Sequence, residues 1–549
     1  MTPIDWAVLT VYIFLILLMG YWVGRRQESR EDYYLGGRRM PSWQIALSIV
    51  ATQVSAISLI GAPAFIALRS GGGLIWLQYE FAIPIAMMFI MLTLVPIYHR
   101  ISAITIYQYL EHRFGSATRT VISLVFLLSR GLGSGVALLA TGIVTAVCLN
   151  LPLYETILLI GVVSILYTTF GGIKADIYSD ILELIILWSG AFLAIGILWN
   201  LLGDQALLFT ASESHRLQVF QLEATGWGDG ETFGFWPMLI GGFFLYLSYY
   251  GCDQSQSQRL LTTATPAEAQ KALLLNGLIR FPLVLTYSAV GILLIPFLRL
   301  HPDFANQLLN KQPDFLVPYF LIEYMPTGLL GLLIAGIFAA SMSSLDSAMN
   351  SLSAATYQDF LIKIWPSLRN LSNRQQVRLS RALTVFWGTV STLFALEMIG
   401  GSETVLELVN KIGSAFYGPI LAVFWMGMLN RKMTQKGAIS GLLAGVFINI
   451  YLWQFHSQTI SWLWWNVVGF GTSFFVGYAI SQLDRRNRKV IDTTFLLTPA
   501  DLVIIWKSHR RYFLLLLAAF LLILAISFIL EQQLGAPTPL LSNTFLDGN

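Results

Sequence analysis

Of 549 residues, 56% are hydrophobic and only 11% are charged, and the mean hydropathy is +0.66. Soluble domains carry about 25% charged residues, so the composition excludes a string of them and points to an all-α protein that crosses the membrane many times. A net charge of +3 is too small to imply a nucleic-acid partner, and Cys148 and Cys252 offer neither a disulfide framework nor a thiolate metal spacing.

In chain order, apolar runs fall near 4–24, 42–68, 74–97, 120–149, 154–170, 177–202, 233–251, 272–300, 328–357, 383–400, 405–429, 437–455, 460–483 and 512–530. At roughly 20 residues per crossing they predict about fourteen transmembrane helices. The runs are continuous rather than alternating, which argues against a barrel. No small-residue cleavage site follows the first run, so it reads as a helix rather than a signal peptide. With the N-terminus outside, 26 of 30 loop Lys and Arg residues fall on the cytoplasmic side, which is the expected bias. Both termini are then extracytoplasmic, in a plasma (inner) membrane. The loops at 203–232 and 301–327 are expected to carry short surface helices. The stretch 483–511 reads as a basic cytoplasmic loop, and the helix after it as peripheral.

Charges inside spans are costly and usually functional. Here they are Glu80, Arg130, Asp180, Glu183, Arg280, Asp346, Glu397, Glu407 and Lys411. In "AASMSSLDSAMNS", Ala340, Ser343, Ser344, Ser347 and Ser351 form one helical stripe with Asp346 beside it. Small serines let helices pack closely; a carboxylate among hydroxyls also suits a hard cation. "IVATQVSAISLIGAPAF" places Thr52, Gln53, Ser55 and Ser58 in a span, and Gly61 and Pro63 there are expected to break it. The span at 233–251 carries Gly241-Gly242 and ends in "YYGCDQSQSQR". Two interrupted spans five helices apart suggest inverted repeats around a central site.

Four segments in order, "FGGIKADIYSDILE", "DQSQSQR", "AASMSSLDSAMNS" and "GPILAVFWMGML", resemble the sodium:solute symporter family. The resemblance covers about 30–480. It implies a fold like that of the amino-acid transporter LeuT, with two inverted five-helix repeats, one helix before them and three after. The leading helix would occupy 1–30, the transport core 31–430 (repeats about 42–202 and 233–429) and the peripheral helices and tail 431–549. It implies sodium-coupled symport of a small solute by alternating access, with no organic cofactor and no enzymatic activity. A monomer in the bilayer would suffice. The six histidines lie in loops or near helix ends, so no haem pair is expected, and no signalling domain follows Leu530.

Carried over residue by residue, the first sodium site would use Ala51, Val54, Ala340, Ser343 and Ser344. A second sodium would use Asp180, Ser343, Asp346 and Ser347. Asp346 departs from the family there, and the acid pair could hold sodium, share a proton or pair with Arg130. Proton coupling and a sensor of the same fold stay open. The substrate candidates are Gln53, Ser58, Glu80, Asp253, Asn410 and Lys411. Glu80 could equally serve a buried network, Lys411 could snorkel or pair with Glu407, and Arg280 reads as structural. The pocket resembles the branch for monocarboxylates, vitamins and halide-like anions in "SAISLIGAP" and "GSAFYGP", but the sugar branch in Tyr79-Glu80.

Overall fold

The computed structural model describes residues 1–53, 56–101, 103–309, 311–399, 405–484 and 492–535. Val54, the cations from Arg485 to Lys489 and the tail from 536 lie outside them. Among the described residues, regular structure is helical, with one isolated bridge between Trp227 and Ile460. Eleven of these helices are long and apolar enough to cross a membrane, or twelve if one bent pair counts as a single span. The helices that matter below are α1 (Pro3–Gly24), α2 (Ser42–Gln53), α3 (Ala56–Ala67), α4 (Ala82–Arg100), α5 (Ser116–Leu149) and α6 (Leu153–Leu202). They continue as α7 (Gly242–Cys252), α8 (Gln254–Leu261), α9 (Pro266–Leu300), α10 (Leu329–Ala355), α11 (Asn373–Glu397) and α12 (Val405–Leu429). The last four are α13 (Gln435–His456), α14 (Trp462–Leu483), α15 (Pro499–Ser508) and α16 (Arg510–Leu534).

At 50 residues, α6 would be about 75 Å long if straight, over twice the roughly 30 Å hydrocarbon core. It breaks at Gly172, whose φ of 57° and ψ of −162° suit glycine alone. A Cβ there would meet Gln27 Nε2 and the Tyr33 carbonyl, both at 2.8 Å. The bend returns the chain across the bundle and places Asp176 and Asp180 in the first turns of its second half.

Two further breaks flank the middle of the bundle. α2 and α3 are bent by 51°. Gly61 and Pro63, the expected breakers, lie within α3. Pro63 is tolerated because α9 backs it: a Cβ on Gly291 would come within 3.0 Å of the Pro63 Cα. The second break is at Asp253, between α7 and α8, where the backbone is extended (φ −84°, ψ 126°). Gly241 instead closes a π-helical turn, Pro237–Gly241, and Gly242 opens α7.

α12 contains Pro419, which cannot donate to the Ala415 carbonyl. Asn449 Nδ2 on α13 donates to Ala415 O at 3.1 Å and Ser414 O at 3.2 Å in its place. Near the start of the chain Asp5 does double duty. Its Oδ2 completes a capping box with Thr2, and its Oδ1 accepts the Gly328 and Gly331 amides at 2.7 and 2.9 Å, tying α1 to the start of α10.

The segments at 203–232 and 301–327 carry short helical elements, among them Ser214–Leu217, Pro302–Gln307 and Leu316–Tyr324. In the described part of the segment after α14, from 492 on, α15 forms and is held by Arg100 to Asp501 at 2.9 Å. Burial alone would raise the Asp501 carboxyl, but the Thr498 amide and hydroxyl and the Arg100 guanidinium outweigh it and hold it below its ordinary value. α16 buries only Phe513, Leu516, Ile523 and Ser527 and packs on α4 and α9.

Gly172→Ala should cost about 2 kcal/mol through forced backbone strain, lowering the thermal unfolding midpoint in detergent by several degrees. Gly196→Ala, where a Cβ meets nothing within 4 Å, should leave it unchanged. A depressed carboxylate stabilises above its ordinary pKa of about 3.9 and loses that contribution as pH falls through the lower folded value. Cleavage of 492–509 by an acid-active protease should therefore stay slow from pH 7 to 5 and accelerate below about pH 4; Asp501→Ala should make it fast throughout.

Candidate functional site

A helix leaves its last four carbonyls without intrahelical partners. Inside a membrane this is tolerated only where they face protein or a cavity. α2 is described as far as Gln53, and Ala51 and Thr52 in its last described turn are buried. α10 packs beside α2. On α10, Ala340 is buried, Ser343 donates to Asp180 Oδ1, and Ser344 faces a central cavity shared with Thr52 and Gln53. A hydroxyl that donates its proton to a carboxylate keeps its lone pairs free for a cation. Ser343 is in that state.

The cavity has a volume of about 190 Å³ and touches both broken helices. Gln53 and Ser58 contribute from one break, Tyr249 and Asp253 from the other. Ser129, Arg130 and Ser134 line it from α5, and Asn410 and Tyr417 from α12. Asp253 caps α8, accepting the Ser255 amide at 2.8 Å and its hydroxyl at 2.6 Å. The Arg130 guanidinium comes only to 3.9 Å from Asp253, and its Nε, though buried, makes no hydrogen bond. Both Ser255 bonds fall on Asp253 Oδ1, and Oδ2 faces Arg130 across 3.9 Å.

Of the six substrate candidates, Gln53, Ser58, Asp253 and Asn410 meet at this cavity. Glu80 does not reach it. It is buried and gripped by Arg280, Nε to Oε2 at 2.9 Å and Nη2 to Oε1 at 3.0 Å, so Arg280 lines the cavity in its place. Lys411 is buried and is not among the lining residues. Arg130 meets neither Asp180 nor Asp346; it faces Asp253. Asp180 is held by Arg259 of α8, whose Nη2 lies 2.9 Å from Asp180 Oδ2 and 2.9 Å from Asp176 Oδ2. Both Asp346 oxygens are buried without a hydrogen bond.

Two members of this cluster escaped the sequence reading for concrete reasons. Asp176 falls one residue before the expected span at 177–202, although its i, i+4 relation to Asp180 puts both on one helical face. Arg259 counts there as a cytoplasmic loop cation, yet its side chain is fully buried.

A family model described as the sodium:solute symporter family matches residues 33–445. The chain belongs to the sodium:solute symporter family. The sodium/sialic acid symporter of Aliivibrio fischeri is 28% identical, over 88% of this chain and 94% of its own. A zebrafish (Danio rerio) sodium-coupled monocarboxylate transporter is 29% identical, over 78% of this chain and 67% of its own. A solved sodium-coupled sialic acid symporter, in a substrate-bound outward-open state, superposes with a TM-score of 0.78 at 24% identity. That superposition covers 88% of this chain and 98% of the other. The symporter is thus an integral membrane transport protein rather than an enzyme, and sodium is its coupling ion.

Breaking one side of a buried ion pair costs about 3–5 kcal/mol, whereas removing both sides is often neutral. Glu80→Gln should therefore lower the thermal midpoint of the symporter markedly, and Glu80→Gln with Arg280→Gln should restore most of it. A double variant no better than the single one would show that the pair is not coupled.

Proposed function

We propose that the protein imports a small organic anion by sodium-coupled alternating access through the central cavity. The observation that carries the substrate class is Arg130, a cation on the cavity wall whose Nε is unpaired and whose nearest carboxylate is 3.9 Å away. A planar guanidinium suits a carboxylate bidentately, and the named solutes of the relatives above include sialic acid and monocarboxylates. Gln53, Asn410 and the serines of α5 would meet the polar remainder.

Sodium would bind at the α2–α3 break, with Ala51, Val54 and Ala340 carbonyls and Ser343 and Ser344 hydroxyls as ligands. Such a site ties the broken helix to α10, so ion and substrate favour the same conformation. Inward movement of a unit positive charge gains about 2.3 kcal/mol per 100 mV. Counting the two halves of α6 separately and the α7 segment as a further span gives the expected fourteen crossings. They divide into a leading helix at 1–30, a core of two inverted five-helix repeats within 31–430 and a peripheral part at 431–549. Both termini would face the outside of a plasma membrane, and one chain would suffice for transport.

A second reading, proton coupling, is favoured by Asp346, whose two buried oxygens make no hydrogen bond. Uptake into proteoliposomes separates the two. With monocarboxylates, sialic acid, neutral sugars and vitamins supplied in turn, an inward sodium gradient should drive accumulation of an anionic solute. Arg130→Gln should reduce that uptake about tenfold or more, the loss of roughly 1.4 kcal/mol of binding, and Arg130→Lys should recover part of it. Accumulation driven by a pH gradient without sodium would replace the sodium reading. Preference for a neutral sugar, indifferent to Arg130→Gln, would remove the anion reading.

A further inference from the structure

The last crossing has more helix beside it than a membrane needs. α16 has 25 residues, about 38 Å of helix, enough by itself for the roughly 30 Å hydrocarbon core. α15 is surplus to that span. The backbone leaves the helical region between them at His509 (φ −118°, ψ 22°). The elbow is held on both sides. Trp506 of α15 stacks on Phe513 of α16 at 4.8 Å and 12°, and Arg100 of α4 grips Asp501. α15 is thus fixed where α16 enters the bilayer.

α15 wears its apolar stripe on the outside. Asp501 and Ile505 turn to the protein, Asp501 to Arg100 and Ile505 against the core. Ala500, Val503, Ile504 and Lys507, at i, i+3, i+4 and i+7, share another face, and all four are exposed. Val503 is 51% and Ile504 65% exposed. A helix lying in water turns such a stripe inward. Here the exposed apolar residues run on across the elbow into Leu514, Leu517 and Leu521 of α16, which belong to a membrane span.

Three cations sit at the same junction. Lys507, Arg510 and Arg511 are exposed, and among the described residues none of them pairs with a carboxylate. Arg100, Arg119 and Arg299, at the ends of other helices, each hold one. An exposed apolar stripe beside a tryptophan, with cations at its end, suits a helix lying in the headgroup region. Unpaired cations next to a crossing attract anionic headgroups.

We propose that α15 is a membrane-surface helix that gathers anionic phospholipid, with Val503 and Ile504 at the acyl boundary and Lys507, Arg510 and Arg511 on headgroup phosphates. A cleft of about 440 Å³ lies beside it, with Ile504, Ile505 and His509 on one wall and Pro96 and Ala267 on the other. It gives an acyl chain a mostly apolar seat next to those charges.

The test places a bimane fluorophore on Ile504→Cys of the full-length symporter. Cys148 and Cys252 are buried, so the label reports position 504. The protein is reconstituted in phosphatidylcholine vesicles containing a doxyl-labelled lipid, either phosphatidylglycerol or phosphatidylcholine. Iodide, confined to water, is the third quencher. Both lipids should quench and iodide should not. Phosphatidylglycerol should reach the same quenching at about one fifth of the mole fraction or less, since each Lys or Arg near a membrane surface favours an anionic lipid roughly fivefold. Lys507→Gln with Arg510→Gln and Arg511→Gln should erase that preference. Arg431→Gln with Lys432→Gln and Lys436→Gln, which removes the same charge near the start of α13, should keep it. Quenching by iodide alone would put α15 in water. Quenching by none of the three would put a protein surface, such as a second copy, on the stripe. Equal quenching by the two lipids would leave the cations without a lipid partner. Loss of the preference on adding inorganic phosphate at constant ionic strength would assign them to a soluble anion. Each of these four results would overturn the proposal.

Discussion

A bilayer core offers no water to a carbonyl or a charge that has lost its partner, and this structure is organised around meeting that demand at the places where its helices stop being helices. The Pro419 gap on α12 is filled by Asn449 from α13. The end of α8 is capped by Asp253 from the break itself. The last described turn of α2 packs beside α10 and lines the cavity with Thr52 and Gln53. Each repair uses a side chain from another part of the chain or opens onto polar space, so a broken helix here fixes its neighbours as well as itself.

Charge follows the same logic. Arg280 with Glu80, Arg119 with Asp359, and Arg259 with Asp176 and Asp180 join residues from 79 to 240 positions apart in sequence. Buried pairs of this kind add little net stability, because desolvation offsets attraction. Their effect is on geometry: each leaves its helices one arrangement in which the charges are satisfied. Arg130 differs from them, with its partner at 3.9 Å rather than in contact, and it lines the cavity from α5.

Much of the architecture was legible in the sequence because hydropathy and cation bias are summed over many residues. The helical class, the two breaks around a centre, the stripe on α10 and the peripheral last helix all come from such sums or from local pattern. What escaped depends on pairing across the fold. Pro63 looks like a breaker until Gly291 is packed against it. Glu80 looks like a cavity residue until Arg280 closes on it. Arg259 looks solvated because it follows a run of glutamines and serines, yet that run is itself buried in α8. Cavity membership survived for Gln53, Ser58 and Asp253, which sit near the breaks that flank the centre, whereas Asn410 lies inside α12 and came from the family resemblance.

Asp5 joins two helices through one side chain. One carboxylate closes the first turn of α1 and also receives the amides that open α10. The first turn of the serine-bearing helix is thereby pinned to α1, while its last turns are held by Tyr34 and the Ser380 carbonyl through Ser353. Any movement of α10 relative to α1 therefore has to break the carboxylate's two amide contacts or carry α1 with it.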